Sequence, residues 1–193
     1  MMVVARRALV ATIVLTLLTG VLYPLLLTAV GRVVFVDEAQ GSLIRQDGRI
    51  VGSRLVGQAW EGERWMYGRP SATDYDAGRS GGSNLGPASG ELTETISQRA
   101  GAILAIEAPY HAQLSVESIP PDLLLASGSG LDPEISLEAA LLQAPRLASI
   151  RGLPVQTVVD LIHDGIRRPP LDLFGQSRVN VLEINLALEE LGT

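Results

Sequence analysis

Residues Ala8 to Gly31 run for 24 positions without a charged side chain, which matches the roughly 20 apolar residues that an α-helix needs to cross a bilayer. Such a chain is membrane-bound, with everything after Arg32 on one side. Arg6 and Arg7 precede the run, and Arg32 beyond it is soon followed by Asp37 and Glu38. This bias keeps the N-terminus cytoplasmic and sends residues 37–193 outside. A cleaved signal peptide shares the basic start, but its apolar core is typically about 7 to 15 residues long. Leu27-Thr28-Ala29-Val30-Gly31 is also a poor small-x-small cleavage site, so the run is read as a retained anchor. Within it, Pro24 removes one backbone donor, and Gly20 with Thr12, Thr16 and Thr19 leaves a small, weakly polar face. That face suits packing against a neighbouring helix, and a simple anchor with a tolerated proline is the alternative.

Two segments follow: residues 1–36 as cytoplasmic N-terminus and transmembrane helix, and residues 37–193 as one extracytoplasmic domain, long enough for a core of its own. All 21 acidic residues lie from Asp37 onward, against 12 of the 15 arginines, so the external part carries −9. That charge disfavours nucleic acid and anionic surfaces and favours nearby cations. The chain has no cysteine, which excludes a disulfide framework, a thiolate nucleophile and a cysteine metal site. It has no lysine either, which excludes a Walker-type loop. His111 and His163 are too few for a histidine metal cluster and are read as surface or cap residues. No metal site is expected.

Ser42 to Trp60 alternates around Asp47-Gly48 and predicts a hairpin, with Trp60, Trp65 and Tyr67 packed against it. Residues 68–90 are rich in glycine, serine and turn formers and predict a long loop. Its Arg69, Asp74, Tyr75, Asp76, Arg79 and Asn84 can all make directional hydrogen bonds. Helical spacing returns from Glu91 to Glu107 and stops before Pro109. A second loop, 126–133, leads into a helix begun by Ser136, which Pro145 is expected to kink or break. Further helices are predicted from Val155 to Ile166 and from Val181 to Leu191, the last with Val181, Ile184, Leu188 and Leu191 on one face. The fold class is α+β: one N-terminal transmembrane helix, then a single extracytoplasmic domain with a small sheet and several helices.

The loops Ser80-Gly81-Gly82-Ser83-Asn84 and Ser127-Gly128-Ser129-Gly130 are glycine-rich turns that could hold an anion on backbone amides. Alternatively, the glycines meet the backbone angles of tight loops while Asp132 or Ser136 caps a helix. Neither loop spells G-x-S-x-G, and no lysine is available for a Ser-Lys dyad, so the hydrolase reading is poor. Asp74-x-Asp76 reads as a solvated turn rather than part of a cation site.

Gly52-Ser53, Gly57-Gln58, Arg69-Pro70-Ser71-Ala72, Ser80 to Pro87, Ala126 to Pro133, Ile135-Ser136, Ala139-Ala140, Gln143, Arg146, Arg151-Gly152-Leu153 and Arg178 to Leu182, taken in order, resemble the C subunit of Kdp-type potassium-transporting ATPases. The resemblance covers nearly the whole chain, including the membrane helix, and departs from the usual pattern at Glu134 and after Pro87. It implies a bacterial or archaeal plasma-membrane complex of a channel-like A subunit (KdpA), a P-type ATPase B subunit (KdpB) and a small F subunit (KdpF). In it the C subunit is a non-catalytic, assembly-stabilising component. The resemblance also implies a role in promoting ATP binding by the catalytic subunit, with Gln143 as a nucleotide contact and ATP as the cofactor concerned. Arg69, Pro70, Ser71, Ser80, Gly81, Gly82, Ser83, Asn84, Ser127, Gly128, Ser129, Gly130 and Asp132 are read as interaction or scaffold loops. The predicted topology puts Gln143 on the side of the membrane away from cytoplasmic ATP. On that ground Gln143→Ala is expected to leave the helix undisturbed and ATPase activity nearly intact. A membrane-anchored domain that binds a small ligand is the alternative function.

Overall fold

The computed structural model describes residues 1–169 and 175–191. The chain divides into two compact units, Met1–Val51 and Gly52–Thr193, with the division inside a β-strand. The first unit is dominated by one continuous helix, Met2–Val34, long and apolar enough to cross a membrane and with no residue buried against the rest of the chain. It comprises α1 (Met2–Leu17), a five-residue π-helical stretch (Leu18–Leu22) and α2 (Tyr23–Val34). The π stretch ends two residues before Pro24, which has no N–H for the carbonyl four residues back. The helix widens there, and Tyr23 N–H bonds to Leu18 O. The hydroxyls of Thr19 and Thr28 donate to Leu15 O at 2.8 Å and Pro24 O at 2.7 Å, so both are satisfied within their own helix.

A short helix α3 (Val36–Ala39) leads to the hairpin β1 (Leu43–Gln46) and β2 (Arg49–Ser53). Asp47 and Gly48 both have positive φ, 49° and 76°. A two-residue turn of that hand matches the twist of paired strands, as the Asp-Gly pair predicted.

In the second unit a long irregular stretch precedes α4 (Gly90–Glu107), α5 (Pro121–Leu124), β3 (Glu134–Ser136), α6 (Leu137–Arg151), α7 (Val155–Asp164), β4 (Ile166–Arg167), β5 (Arg178–Asn180) and α8 (Val181–Leu191). The sheet is antiparallel in the order β3-β5-β4, with Val179 opposite both Ile135 and Ile166. Helix α6 lies at the centre: Ala139, Ala140, Ala144, Leu147 and Ala148 are buried, and Val158, Ile162, Ile184 and Leu188 from α7 and α8 complete the core with Met66 and Leu123. Small side chains on α6 let its neighbours approach closely.

Helix boundaries follow local chemistry. Ser136 Oγ accepts from Ala139 N–H at 3.0 Å and caps α6, while Ser89 does the same for α4. Gly152, at φ 65°, ends α6 in the left-handed conformation and lets Leu153 N–H reach back to Ala148 O. Asn180 Oδ1 accepts from Glu183 N–H at the start of α8.

The structure departs from sequence expectation at three places. Helix α6 continues through Pro145, because the burial of its alanine face outweighs one missing bond. Helix α7 stops at Asp164, since Gly165 frees the chain to turn and Ile166 joins the sheet. Leu191 is exposed at the fraying end of α8. Trp65 and Tyr67 lie against arginines of α6, with Arg151 over the Trp65 ring and Arg146 over Tyr67 at 4.9 Å.

Candidate functional site

The two glycine-rich loops meet. Ser71 is the hub: its Oγ donates to Gly130 O at 2.6 Å and accepts from the N–H groups of Thr73 and Tyr75. Ser127 N–H bonds to Pro70 O, and Gly81 N–H bonds to Ser129 O at 2.8 Å, with Ser80 Oγ donating to the same carbonyl. Arg69 pairs with Asp132 at 3.1 Å, and Asp132 also accepts from Glu134 N–H, which turns the chain into β3. The Tyr75 hydroxyl donates to Arg69 O. Burial, then the Asp132 charge, push its phenol up to about 12, so it stays protonated. Gly130 shows why glycine is required: its φ is +70°, and a Cβ there would lie 2.4 Å from Thr73 Oγ1 and 2.8 Å from Gly81 O. At Gly82 a Cβ would lie 3.3 Å from Gly128 O.

The structure therefore brings Arg69, Pro70, Ser71, Ser80, Gly81, Gly82, Ser127, Gly128, Ser129, Gly130 and Asp132 into one seam. Ser83 and Asn84 remain exposed beyond it, with Ser83 Oγ closing a local turn on Leu85 N–H. The amide of Gly81 is occupied by a carbonyl and is not free for an anion.

Gln143 lies elsewhere, 1% exposed in the middle of α6. Its Oε1 accepts from Tyr67 N–H at 2.7 Å, and its Nε2 donates to Tyr67 O at 3.0 Å and to Ala139 O at 3.3 Å. Arg146 Nη2 donates to the same Oε1 at 3.0 Å. An amide has two donor hydrogens and one carbonyl oxygen, and all are engaged. Asn185 repeats the pattern on the preceding residue, accepting from Met66 N–H at 2.8 Å and donating to Met66 O at 3.0 Å. Arg146, fully buried, donates to the carbonyls of Glu63 and Trp65 and pairs with Glu107 at 2.8 Å. Arg151 reaches Arg64 O at 2.9 Å and Leu188 O at 2.8 Å.

Residues 63–67 thus form an irregular segment, opened by a turn in which Trp65 N–H bonds to Gly62 O, whose carbonyls accept from side chains of α6 and α8. Glu107, paired with Arg146, is itself buried, and desolvation raises its carboxyl above the usual range, against the lowering effect of Arg146. In this arrangement Gln143 presents no free group to a nucleotide. Removing its amide is also not silent, as it would be for a solvent-facing glutamine, because Tyr67 would lose both backbone partners. Asn185 carried no separate signal in the sequence; an asparagine within the apolar face of α8 is the only cue. Arg146, three residues after Gln143 among buried alanines, is a stronger cue of the same kind.

The family profile described as KdpC, K+-transporting ATPase, c chain, matches residues 5–190. Curated relatives named potassium-transporting ATPase KdpC subunit include those of Cereibacter sphaeroides, 46% identical over 192 residues and covering 100% of both chains. That of Polaromonas naphthalenivorans is 47% identical, covering 97% of this chain and 95% of its own. That of Methylobacterium nodulans is 44% identical, covering 96% of each. With a match across nearly its whole length, membrane helix included, the chain belongs to the KdpC family of potassium-transporting ATPase subunits.

Proposed function

We propose that the chain is a non-catalytic accessory subunit that stabilises the assembled potassium pump, anchored by its N-terminal helix with its second unit outside the cytoplasm. Its partners are the channel-like A subunit, the catalytic B subunit and the small F subunit. The observation that carries this reading is the engagement of Gln143: the side chain suited by resemblance to touch nucleotide holds Tyr67 in place. The polar residues of α6 and α8 build a rigid scaffold, and the loop seam from Arg69 to Asp132 presents a preformed surface for docking. Arg6 and Arg7 before the helix favour a cytoplasmic N-terminus. The net charge of −9 from Asp37 onward enriches cations near the external surface, over a range of about 8 Å at physiological salt.

Purification of the full chain in mild detergent after co-expression with the A, B and F subunits tests this. Recovery of a stoichiometric complex is expected, and a lone chain would favour an anchored ligand-binding domain. In the assembled complex, Gln143→Ala is expected to lower yield and thermal stability while the KM for ATP of each intact complex stays at the wild-type value. A raised KM in fully assembled Gln143→Ala complex would restore the nucleotide role.

A further inference from the structure

Helix α4 forms one wall of a cavity of about 190 Å3 that the scaffold reading does not use. Tyr67, Ala102, Ile103, Ile106 and Leu123 line it together with Glu107. Ala102 is exposed and lies at the mouth, whereas Glu107 is 2% exposed and lies at the floor. Glu107 Oε1 accepts from Arg146 Nε, but Oε2, equally enclosed, has no hydrogen-bond partner among the described residues. Native interiors seldom leave such an oxygen unsatisfied, so an occupant of this cavity is expected to bring a donor.

Three further constraints narrow its chemistry. The charge of Glu107 is already balanced by Arg146, and a cationic occupant would bury a charge without compensation. The walls are mostly apolar. The volume falls below the roughly 300–1,000 Å3 of sites for drug-sized ligands, which leaves room for about one side chain. An aromatic ring with an apolar body and a single O–H or N–H at its tip meets all three. Arg99, which also lines the cavity, directs Nη1 to Leu124 O.

We propose that this cavity is a socket for one tyrosine or tryptophan side chain of a neighbouring subunit, with the ring against Ile103, Ile106 and Leu123 and its O–H or N–H donating to Glu107 Oε2. The proposal rests on the reading of the chain as part of a multisubunit assembly, whose interfaces typically centre on aromatic anchors in pockets.

The test uses the full-length chain in detergent micelles, with the isoleucine and leucine methyl groups labelled for NMR. Indole and p-cresol serve as probes, and N-methylindole as the ring without a donor. Saturable shifts at Ile103, Ile106 and Leu123 are expected, with N-methylindole weaker by about tenfold or more. Glu107→Gln should narrow that difference. Ala102→Trp, at an exposed helical position that tolerates a large side chain, should block the probes at unchanged melting temperature and reduce recovery of the partner subunits by about fivefold or more. Absence of saturable shifts, equal binding of indole and N-methylindole, or wild-type recovery of partners with Ala102→Trp would each overturn the socket. Wild-type chain assembled in parallel keeps the two readings apart: its failure to recover partners counts against the assembly role, and failure of the variant alone to change recovery counts against the socket.

Discussion

A carboxamide carries the same donor and acceptor as a peptide group, and Gln143 and Asn185 use that likeness to bond Tyr67 and Met66 as an adjoining strand would. The substitution Gln143→Ala strands one buried N–H and one C=O and takes an acceptor from Arg146. It should therefore cost about 2–4 kcal/mol, read as a fall in melting temperature of the purified chain. Gly130→Ala should destabilise by about 1–3 kcal/mol, since it combines a positive φ with contacts on Thr73 and Gly81 that a Cβ cannot keep. Glu107 sets a pH dependence. Burial raises its folded-state carboxyl above the unfolded value, so the folded chain binds the proton more tightly within that window. Stability attributable to Glu107 must then rise as pH falls from above the raised value toward the ordinary carboxylate range. Thermal melts followed as pH is lowered from neutral into the ordinary carboxylate range should show this gain in the wild type, with a flatter response in Glu107→Gln. Of these residues, Gln143 could be singled out by resemblance, but its partners could not. Tyr67 lies 76 positions away along the chain, and no local pattern reports a bond of that span.

Elements with a local cause were legible. The Asp47-Gly48 turn, the cap at Ser136 and the helix end at Glu107 each follow from residues within one turn of the boundary. Ser136 also donates to Asp122, whose other oxygen accepts from Ser136 N–H, and this ties α5 to the start of α6. Ser136→Ala should cost about 1 kcal/mol or slightly more and lower the melting temperature by about 2–4 °C; no measurable change would show the cap to be redundant. Elements set by distant packing were not legible. Pro145 reads as a breaker because its cost is local, while the burial that holds α6 together comes from α7, α8 and Met66. The short strands β3, β4 and β5 have at most three residues each and no room for an alternating pattern. Glu134 crosses this sheet with ion pairs to Arg178 at 2.5 Å and Arg167 at 3.5 Å. Arg167 continues to Glu183, and Glu183 to Arg54. These pairs are partly solvated and contribute little singly.

At the scale of the whole chain, protease added to intact spheroplasts should digest residues beyond Val36, and protection until the membrane is opened would overturn the proposed orientation. Replacing residues 8–31 with an unrelated leucine-rich span tests the anchor: reduced recovery of partner subunits is expected if Gly20 and the π-helical stretch before Pro24 shape a contact. Unchanged recovery would locate specificity in the second unit. The irregular segment at residues 63–67 depends on side chains made much later, which fixes the order in which the chain acquires its structure. Its fasteners come from α6 and α8, up to 119 residues later in synthesis. Such long closures are slow to form, and Met66 cannot be held until Asn185 has emerged. Nascent chains released before Val181 should accordingly be cleaved readily around Trp65, with resistance appearing only once α8 is complete.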